Sequence, residues 1–222
     1  MKQVKLNTSI LNVNDMLAGK NRNQFAAYRM LVLNIMSSPG AGKTTILERT
    51  IEKLSHTLQI GVIEGDLYTD QDARRIEGQG IPVVQINTEG GCHLDASMVE
   101  RASRELPLGK LELLIIENVG NLVCPAEFDL GEDGKVVVLS ATEGNDKVTK
   151  YPLMFREARA ILLNKIDLLP YIDFDLDSFK QDVAHINPEA KLFIISARTG
   201  EGIENWVNWL EEEVRLKTSR HL

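Results

Sequence analysis

The chain has 222 residues, of which 43% are hydrophobic and 26% are charged, and its formal net charge is −7. This length and apolar content predict one substantial core, and the acidic balance argues against nonspecific binding to nucleic acid. No stretch is long and apolar enough to span a membrane, and residues 1–7 lack the apolar centre of a signal peptide. We therefore expect a cytoplasmic protein that binds neither a membrane nor nucleic acid.

Residues 1–29 are predicted to form a helical segment that packs on a main domain formed by residues 30–222. The segment contains one helix or two, and residues 19–23, which begin with Gly19, are the expected break. Its apolar residues are Ile10, Leu11, Val13, Met16, Leu17, Phe25, Ala26, Ala27 and Tyr28. From residue 30 onward, apolar runs of strand length alternate with helical patterns, which predicts an α/β fold with right-handed crossovers.

A glycine-rich loop at residues 37–44, with the sequence Ser-Ser-Pro-Gly-Ala-Gly-Lys-Thr, lies between a predicted strand and a predicted helix. Its glycines let backbone N–H groups point at anionic oxygens, and the helix N-terminus adds a partial positive charge. We expect Lys43 to reach the β- and γ-phosphates of a nucleotide and the Thr44 hydroxyl to bind Mg²⁺. Ser37 stands where the usual pattern has its first glycine. The candidate phosphate-binding residues are Gly40, Ala41, Gly42, Lys43, Thr44 and Thr45.

A second strand, at residues 60–63, leads into an acidic segment at residues 64–72. Acidic side chains at the carboxyl end of a strand suit Mg²⁺, which prefers oxygen ligands. Asp66 is the first candidate ligand and Asp72 is the second. For Asp70 and Asp72 another interpretation is equally open, in which they cap the helix that follows.

The third strand, at residues 111–116, is followed directly by Glu117 and, three residues later, by Gly120. In most phosphate-loop GTPases an aspartate at the first position holds the water shell of Mg²⁺, and the glycine N–H senses the γ-phosphate. Glu117 is a longer acid for the same task. Asn121 stands where Ras-like proteins have a glutamine that orients water, so we expect slow hydrolysis. The candidate catalytic residues are Lys43, Asp66, Glu117 and Gly120.

Residues 164–167, with the sequence Asn-Lys-Ile-Asp, follow a strand at residues 160–163. The Asp167 carboxylate can accept hydrogen bonds from guanine N1–H and N2–H₂, a donor pair that adenine lacks. Lys165 can lay its alkyl stem over the base, and Asn164 is expected to brace the loop.

A further strand, at residues 191–195, ends in Ser196, Ala197 and Arg198. This second loop resembles the one in GTPases whose backbone N–H meets guanine O6. Together with the phosphate loop, the two base-side loops predict that the chain binds GTP and GDP.

The chain has only two cysteines, Cys92 and Cys124, and His93 is adjacent to the first. A disulfide is one interpretation, although nothing else indicates an oxidising compartment, and two unrelated buried thiols is another. Two thiolates and an imidazole also suit Zn²⁺ or Ni²⁺. A fourth ligand would then come from water, or the ligands would be shared across a two-fold axis. From this chemistry alone, metal binding and the other interpretations stay equally open.

Residues 88–95 (Thr-Glu-Gly-Gly-Cys-His-Leu-Asp), 117–125 (Glu-Asn-Val-Gly-Asn-Leu-Val-Cys-Pro), 143–152 and 206–210 closely resemble the HypB family of hydrogenase/urease nickel-incorporation GTPases. The resemblance covers roughly residues 30–212. It implies a phosphate-loop NTPase of the signal-recognition/MinD-like class, an α/β three-layer sandwich with a mainly parallel sheet.

The resemblance further implies a GTPase that dimerises in response to GTP and helps to insert nickel into [NiFe]-hydrogenase. The family's metal site matches Cys92, His93 and Cys124 and lies at the dimer interface, where it binds Zn²⁺ or Ni²⁺. The implied partners are a HypA-type nickel and zinc accessory protein and, indirectly, the precursor of the hydrogenase large subunit.

Two features depart from parts of that family, and two alternatives follow. Some members carry an N-terminal Cys-X-X-Cys-Gly-Cys site or a His-rich tract, but here no cysteine precedes Cys92 and no histidine precedes His56. We therefore expect no high-affinity N-terminal nickel site. Urease-type nickel GTPases are a close alternative, but they have Cys-Pro-His where this chain has Ala126 after Cys-Pro. An alternative from another class is a zinc-stabilised dimer in which GTP is structural.

Overall fold

The computed structural model of the chain describes residues 7–67 and 70–219, and side chains from residue 11 onward. Thr69 of the acidic segment, residues 1–6 of the amino-terminal segment and the side chain of Ile10 therefore lie outside the described residues.

One seven-stranded sheet organises the described chain, with the strand order β3-β2-β4-β1-β5-β6-β7. Every neighbouring pair of strands is parallel, which confirms the predicted α/β fold. The strands are β1 (Leu31–Ser37), β2 (Ile60–Asp66), β3 (Val83–Asn87), β4 (Leu113–Glu117), β5 (Gly134–Ser140), β6 (Ala158–Asn164) and β7 (Lys191–Ile194).

Helices cover both faces of the sheet, so the fold has three layers. Alternate residues of β1 point to opposite faces: Leu33 packs in the core formed with α2 and α9, whereas Val32 packs in the core formed with α1 and α4. The helices are α1 (Asn7–Ala27), α2 (Lys43–Leu54), α3 (Gln71–Glu77), α4 (Ala96–Ser103), α5 (Cys124–Glu127), α6 (Lys147–Lys150), α7 (Pro152–Arg156), α8 (Leu176–Ile186) and α9 (Ile203–Ser219). None of the helices within the described ranges is long and apolar enough to cross a membrane.

The carboxyl ends of the central strands meet at one edge of the sheet. Ile35 of β1 lies opposite Glu117 of β4, and Glu64 of β2 also lies opposite Glu117. On the other side of β1, Ser140 of β5 lies opposite Asn164 of β6. The loops that follow these strands therefore share the edge at which open parallel sheets bind ligands.

The amino-terminal segment is one helix, so the predicted break within residues 19–23 is wrong. Helix α1 continues through this stretch because Asn21 is buried and its Nδ2 donates hydrogen bonds to the carbonyl oxygens of Ala96 (2.8 Å) and Leu130 (3.0 Å). Asn14 also accepts a hydrogen bond from the N–H of Ala96 at 2.9 Å. These tertiary contacts outweigh the low helix propensities of Gly and Asn.

Candidate nucleotide and metal sites

The phosphate loop holds two glycines in the left-handed region of backbone space, Gly40 at φ 74° and Gly42 at φ 99°, directly before α2 begins at Lys43. A Cβ on Gly42 would lie 2.5 Å from Nδ2 of Asn164, so the position has no room for a side chain. The Lys43 ammonium donates to the Ser37 hydroxyl at 2.8 Å. Burial lowers the pKa of Lys43, and the nearby carboxylates, Glu117 foremost, oppose this shift.

Two buried carboxylates lie behind the phosphate loop. The Thr44 hydroxyl donates to Oε1 of Glu117 at 3.0 Å, and Glu64 lies opposite Glu117 on the neighbouring strand. Burial raises the pKa of Glu117 to about 7, although the Lys43 charge opposes the shift. Burial, followed by the charge of Glu117, raises the pKa of Glu64 to about 8.

Asp66 and Asp72, further along the acidic segment that begins with Glu64, bring two more carboxylates near this pair. Oxygen atoms of Glu64, Asp66 and Asp72 lie within 4.8 Å of one another. Mg²⁺ prefers such oxygen ligands, and Oε2 of Glu64 and of Glu117 has no hydrogen-bond partner among the described residues. The donor set formed by Glu64, Asp66 and Asp72 therefore fits a magnesium ion. Glu117, which lies opposite Glu64 and accepts from the Thr44 hydroxyl, offers oxygen donors on the neighbouring strand.

The helix-capping interpretation is confirmed in position for Asp70, which is the N-cap residue of α3, but not for Asp72, which lies in the first turn. The Asp70 carboxylate accepts no backbone hydrogen bond at the cap and pairs with Arg74 at 2.6 Å. Asp72 pairs with Arg75 at 3.0 Å and lines the phosphate cleft. Of the two, only Asp72 remains a candidate ligand.

Two adjoining clefts, each of about 200 Å³, share Gly42 and Thr45 in their walls. The polar cleft is lined by Gly40, Gly42, Lys43, Thr44, Thr45, Asp72, Arg75 and Glu117. The second, more apolar cleft is lined by Gly42, Thr45, Asn164, Lys165, Asp167, Leu168, Ala197 and Arg198. A polar cleft for phosphates beside an apolar cleft for a base is the arrangement that a nucleotide requires.

Asn164 ties the base-side loops to the phosphate loop. Its buried amide donates to the Ala41 carbonyl at 2.9 Å and accepts from the Ala197 N–H at 3.0 Å. Lys165 adopts φ 64°, lines the apolar cleft and donates to the Gly40 carbonyl at 2.8 Å, so its side chain links this cleft to the phosphate loop.

The Asp167 carboxylate is positioned by the second base-side loop. Oδ1 accepts from the Ser196 hydroxyl at 2.7 Å, and Oδ2 lies 3.9 Å from the guanidinium of Arg198.

Gly120 lies against the backbone of the phosphate loop, because a Cβ built on it would lie 3.0 Å from Cα of Pro39. The next residue, Asn121, donates from Nδ2 to the carbonyl of Cys92 at 3.2 Å. The segment after β4 therefore contacts the phosphate loop on one side and the loop that carries Cys92 and His93 on the other.

The two cysteines and the histidine form a cluster. Sγ of Cys92 lies 3.2 Å from Sγ of Cys124 and 3.5 Å from Nδ1 of His93, and the three groups lie within 4.8 Å of one another. Both cysteines are free thiols, so the disulfide interpretation is wrong for this structure, and neither is fully buried. The His93 ring stacks on Phe128, with 3.9 Å between ring centroids, which fixes its plane. The donor set fits a thiophilic metal such as Zn²⁺ or Ni²⁺.

The surroundings of the cluster shift the pKa values of two of its three groups, His93 and Cys124. Partial burial lowers the pKa of His93, an effect that Asp95 and Glu127 oppose. The hydrogen bond with Cys92, assisted by burial, raises the pKa of Cys124.

Three residues at these sites were not among the predicted functional residues: Glu64, Arg75 and Leu168. Glu64 lies close in sequence to the predicted acid Asp66, and this was the available sequence signal for it. The positions of Arg75 and Leu168 depend on sheet order and loop path, which the sequence pattern does not supply.

A glycine loop between β1 and α2, carboxylates at the ends of β2 and β4, and a base-sized cleft after β6 define a phosphate-loop nucleotide-binding protein. The sequence profile of the CobW/HypB/UreG nucleotide-binding domain matches residues 31–194. The hydrogenase maturation factor HypB of Escherichia coli (strain K12) is 51% identical over 212 residues, which cover 96% of this chain and 73% of that protein. The chain therefore belongs to the HypB family of hydrogenase maturation factors.

Solved structures agree with this assignment. The crystal structure of the hydrogenase maturation factor HypB from Archaeoglobus fulgidus has a TM-score of 0.86 at 40% identity, covering 92% of this chain and 100% of that one. HypB from Helicobacter pylori in complex with nickel has a TM-score of 0.87 at 41% identity, covering 94% of this chain and 99% of that one. The fold alone is shared with the signal recognition particle 54 kDa protein of Aeropyrum pernix, at 12% identity and a TM-score of 0.56.

Proposed function

We propose that the chain is a GTPase that binds and releases nickel during [NiFe]-hydrogenase maturation, and that GTP-dependent dimerisation is coupled to metal binding. The observation that carries the proposal is the short connection between the two sites. Gly120 lies against the phosphate loop, and Cys124 lies four residues further along the same segment. A shift of Gly120 on nucleotide exchange would therefore move a thiol of the metal cluster.

The proposed reaction is hydrolysis of GTP by water to GDP and inorganic phosphate. The backbone of residues 40–45 and the Lys43 ammonium would hold the phosphates, and Asp167 would accept the two guanine donors. Mg²⁺ would be held by Thr44, Glu117 and the acids of the first segment, and when bound it neutralises charge on the β- and γ-phosphates. Asn121 donates to the Cys92 carbonyl, which supports slow turnover because this side chain is then not available to orient water.

Nickel is the proposed cargo, held by Cys92, His93 and Cys124. The nickel complex of the Helicobacter pylori relative supports this choice of metal, and Zn²⁺ is the alternative occupant for the same donors. Cys92 is exposed, and Val123, which directly precedes Cys124, is 51% exposed. The cluster therefore lies at the surface, where a second copy of the chain can supply the remaining metal ligands. A HypA-type protein is the proposed exchange partner, and the hydrogenase large-subunit precursor is the indirect recipient.

The coupling is tested by measuring Ni²⁺ and Zn²⁺ affinity with a chromophoric chelator, for protein loaded with GDP and with a non-hydrolysable GTP analogue. We expect different affinities in the two states and a larger oligomer mass with the analogue. Equal affinities would refute the coupling. Cys92→Ala should bind less than half of the wild-type metal in both states.

The enzyme assignment is tested separately by phosphate release. Lys43→Ala should reduce GTP hydrolysis by at least about 100-fold, because the variant removes the positive charge that stabilises the γ-phosphate. Unchanged hydrolysis would reject the GTPase assignment and favour a module in which GTP is structural.

A further inference from the structure

The buried side-chain amide of Asn118 forms hydrogen bonds to two segments: the loop that carries Cys92 and His93, and the segment after β4 that lies against the phosphate loop. Asn118 directly follows Glu117 and is 1% exposed. Its Oδ1 accepts a hydrogen bond from the N–H of Leu94 at 3.1 Å and from its neighbour Val119 at 3.0 Å. Leu94 is adjacent to His93, and Val119 is adjacent to Gly120. One oxygen atom therefore joins the metal-binding loop to the segment that lies against the phosphate loop.

A chain of buried side chains fixes the orientation of this amide. Nδ2 of Asn118 donates to Oδ1 of Asn34 at 3.2 Å, and Nδ2 of Asn34 donates to Oε1 of Glu132 at 3.3 Å. Glu132 in turn accepts from the Leu130 N–H at 2.7 Å. Because Asn34 lies on the central strand β1, the Asn118 amide cannot rotate without leaving buried polar groups unpaired.

Leu94 is also in contact with the first acidic segment. A Cβ built on Gly65 would lie 2.9 Å from the side-chain carbons of Leu94. Gly65 stands between Glu64 and Asp66, so Leu94 packs against the strand end that carries the candidate Mg²⁺ ligands. Leu94, which is adjacent to His93, therefore contacts both segments expected to respond to the nucleotide, one through its side chain and the other through its backbone N–H.

We infer that Asn118 is the positioning residue that transmits nucleotide state from Gly120 to the Cys92–His93 loop. The inference rests on the proposed function. A displacement of Gly120 moves Val119 and Asn118 together, and the hydrogen bond to Leu94 carries the adjacent His93 with them. The side chain is expected to touch neither the nucleotide nor the metal, so its removal should affect the dependence of one site on the other.

The test compares Zn²⁺ affinity in the GDP state and in the GTP-analogue state, as a ratio, for wild type and Asn118→Ala. We expect a wild-type ratio of about fivefold or more, in either direction, and an Asn118→Ala ratio within about twofold of one. Asn118→Asp keeps the acceptor for the Leu94 N–H but loses the donor to Asn34, so it should be less stable than wild type and still give a ratio clearly larger than that of Asn118→Ala. Amide hydrogen exchange at Leu94 should become faster in Asn118→Ala, which removes the acceptor of that N–H, but not in Asn118→Asp, which keeps it.

Asn21→Ala is the matched control, because it also removes a buried amide that donates to the backbone just after the metal loop, at Ala96. The hydrogen bonds of Asn21 go to Ala96 and Leu130 and not to residues 117–120. It should lower stability and keep the wild-type ratio. If Asn118→Ala lowers metal affinity equally in both states and keeps the wild-type ratio, Asn118 is merely structural and the inference is overturned. A wild-type ratio of one overturns the proposed coupling and this inference with it.

Discussion

Glu64 and Glu117 lie opposite each other on neighbouring parallel strands, and each residue is only 2% exposed. Oε2 of each carboxylate lacks a hydrogen-bond partner within the described part of the chain. Even with the Lys43 charge nearby, the pKa of Glu64 is raised to about 8 and that of Glu117 to about 7. We therefore expect the nucleotide-free pair to retain at least one proton at pH 7, and Mg²⁺ bound with a nucleotide to release it.

This pair predicts that the nucleotide-free protein loses stability as the pH rises. Because the pKa of Glu64 is raised from 4.5 to about 8, the folded state binds more protons than the unfolded state between these values. The free energy of unfolding therefore falls as the pH rises from about 4.5 to about 8. Glu64→Gln should remove the Glu64 share of this loss, while the share from Glu117, whose pKa is raised to about 7, remains. The substitution should raise the free energy of unfolding at pH 8 by about 1–3 kcal/mol, with a smaller gain at pH 5.

Urea denaturation at pH 5 and pH 8, without Mg²⁺ or nucleotide, measures this effect. Glu77→Gln, on an exposed position of α3, is the control and should match wild type at both values. Parallel stability curves for wild type and Glu64→Gln would contradict the prediction.

The importance of Glu64 illustrates what the sequence could not provide. The motifs located the phosphate loop and the base-side loops, because each of these is a short run of consecutive residues. The metal cluster joins Cys92 and His93 to Cys124, 32 residues away, and only the resemblance to the HypB family indicated that the three belong together. The pairing of Glu64 with Glu117 depends on β2 and β4 being neighbours in register. The order of the strands is a property of the whole sheet, so the local hydrophobic pattern of each strand does not predict which strands are neighbours.

Two elements of the fold were missed for related reasons. Strand β3 is a five-residue edge strand that follows Pro82 and is only partly buried, so its hydrophobic pattern is short and weak. The unbroken course of α1 depends on hydrogen bonds from Asn14 and Asn21 to segments more than 70 residues away. In both cases tertiary contacts decide a structure that local propensity leaves open.

Asp167→Asn should change the base preference from guanine to xanthine. The carboxylate is held by Ser196 and Arg198 with its acceptors available to a base. An asparagine replaces one acceptor by an N–H₂ donor, which faces the guanine N–H groups unfavourably but can donate to the C2 carbonyl of xanthine. We expect GDP affinity to fall by at least about 100-fold and xanthosine diphosphate affinity to rise.

Competition against a fluorescent nucleotide gives both affinities. Asp173→Asn, at an exposed position six residues away, should leave both unchanged. If Asp167→Asn keeps the guanine preference, Asp167 does not read the base.

Gly120→Ala should impair the GTP state more than the GDP state. The added Cβ would lie 3.0 Å from Cα and 3.1 Å from N of Pro39, so the phosphate loop and the following segment must separate. We expect the affinity for a GTP analogue to fall by about 10-fold or more relative to that for GDP, since only the analogue offers a γ-phosphate to the residue 120 N–H.

Gly19→Ala provides the contrasting glycine substitution. No atom lies within 4 Å of a Cβ at this position of α1, so the change should stabilise the protein by about 0.5–1 kcal/mol and leave nucleotide affinities unaltered. Calorimetric titration with each nucleotide distinguishes the two variants. An equal loss of GDP and analogue affinity in Gly120→Ala would argue against γ-phosphate sensing.

A buried hydrogen bond between Trp206 and Thr50 fastens α9 to the helix that begins at the phosphate loop. The indole N–H donates to the Thr50 hydroxyl at 3.0 Å, and the hydroxyl donates to the Ile46 carbonyl at 2.7 Å. Thr50→Val should lower the free energy of unfolding by about 1–3 kcal/mol, because it leaves the buried indole N–H unpaired. Trp206→Phe should cost a similar amount, because it removes this hydrogen bond and part of a fully buried ring, although the Thr50 hydroxyl keeps its bond to Ile46. The double variant should lower the free energy of unfolding by less than the sum of the two single variants, because its remaining side chains no longer need a partner.

Trp209→Phe, at a partly buried neighbour, is the control and should cost less than Trp206→Phe in the same denaturation experiment. Strict additivity of the two single variants would show that the indole and the hydroxyl stabilise the protein independently.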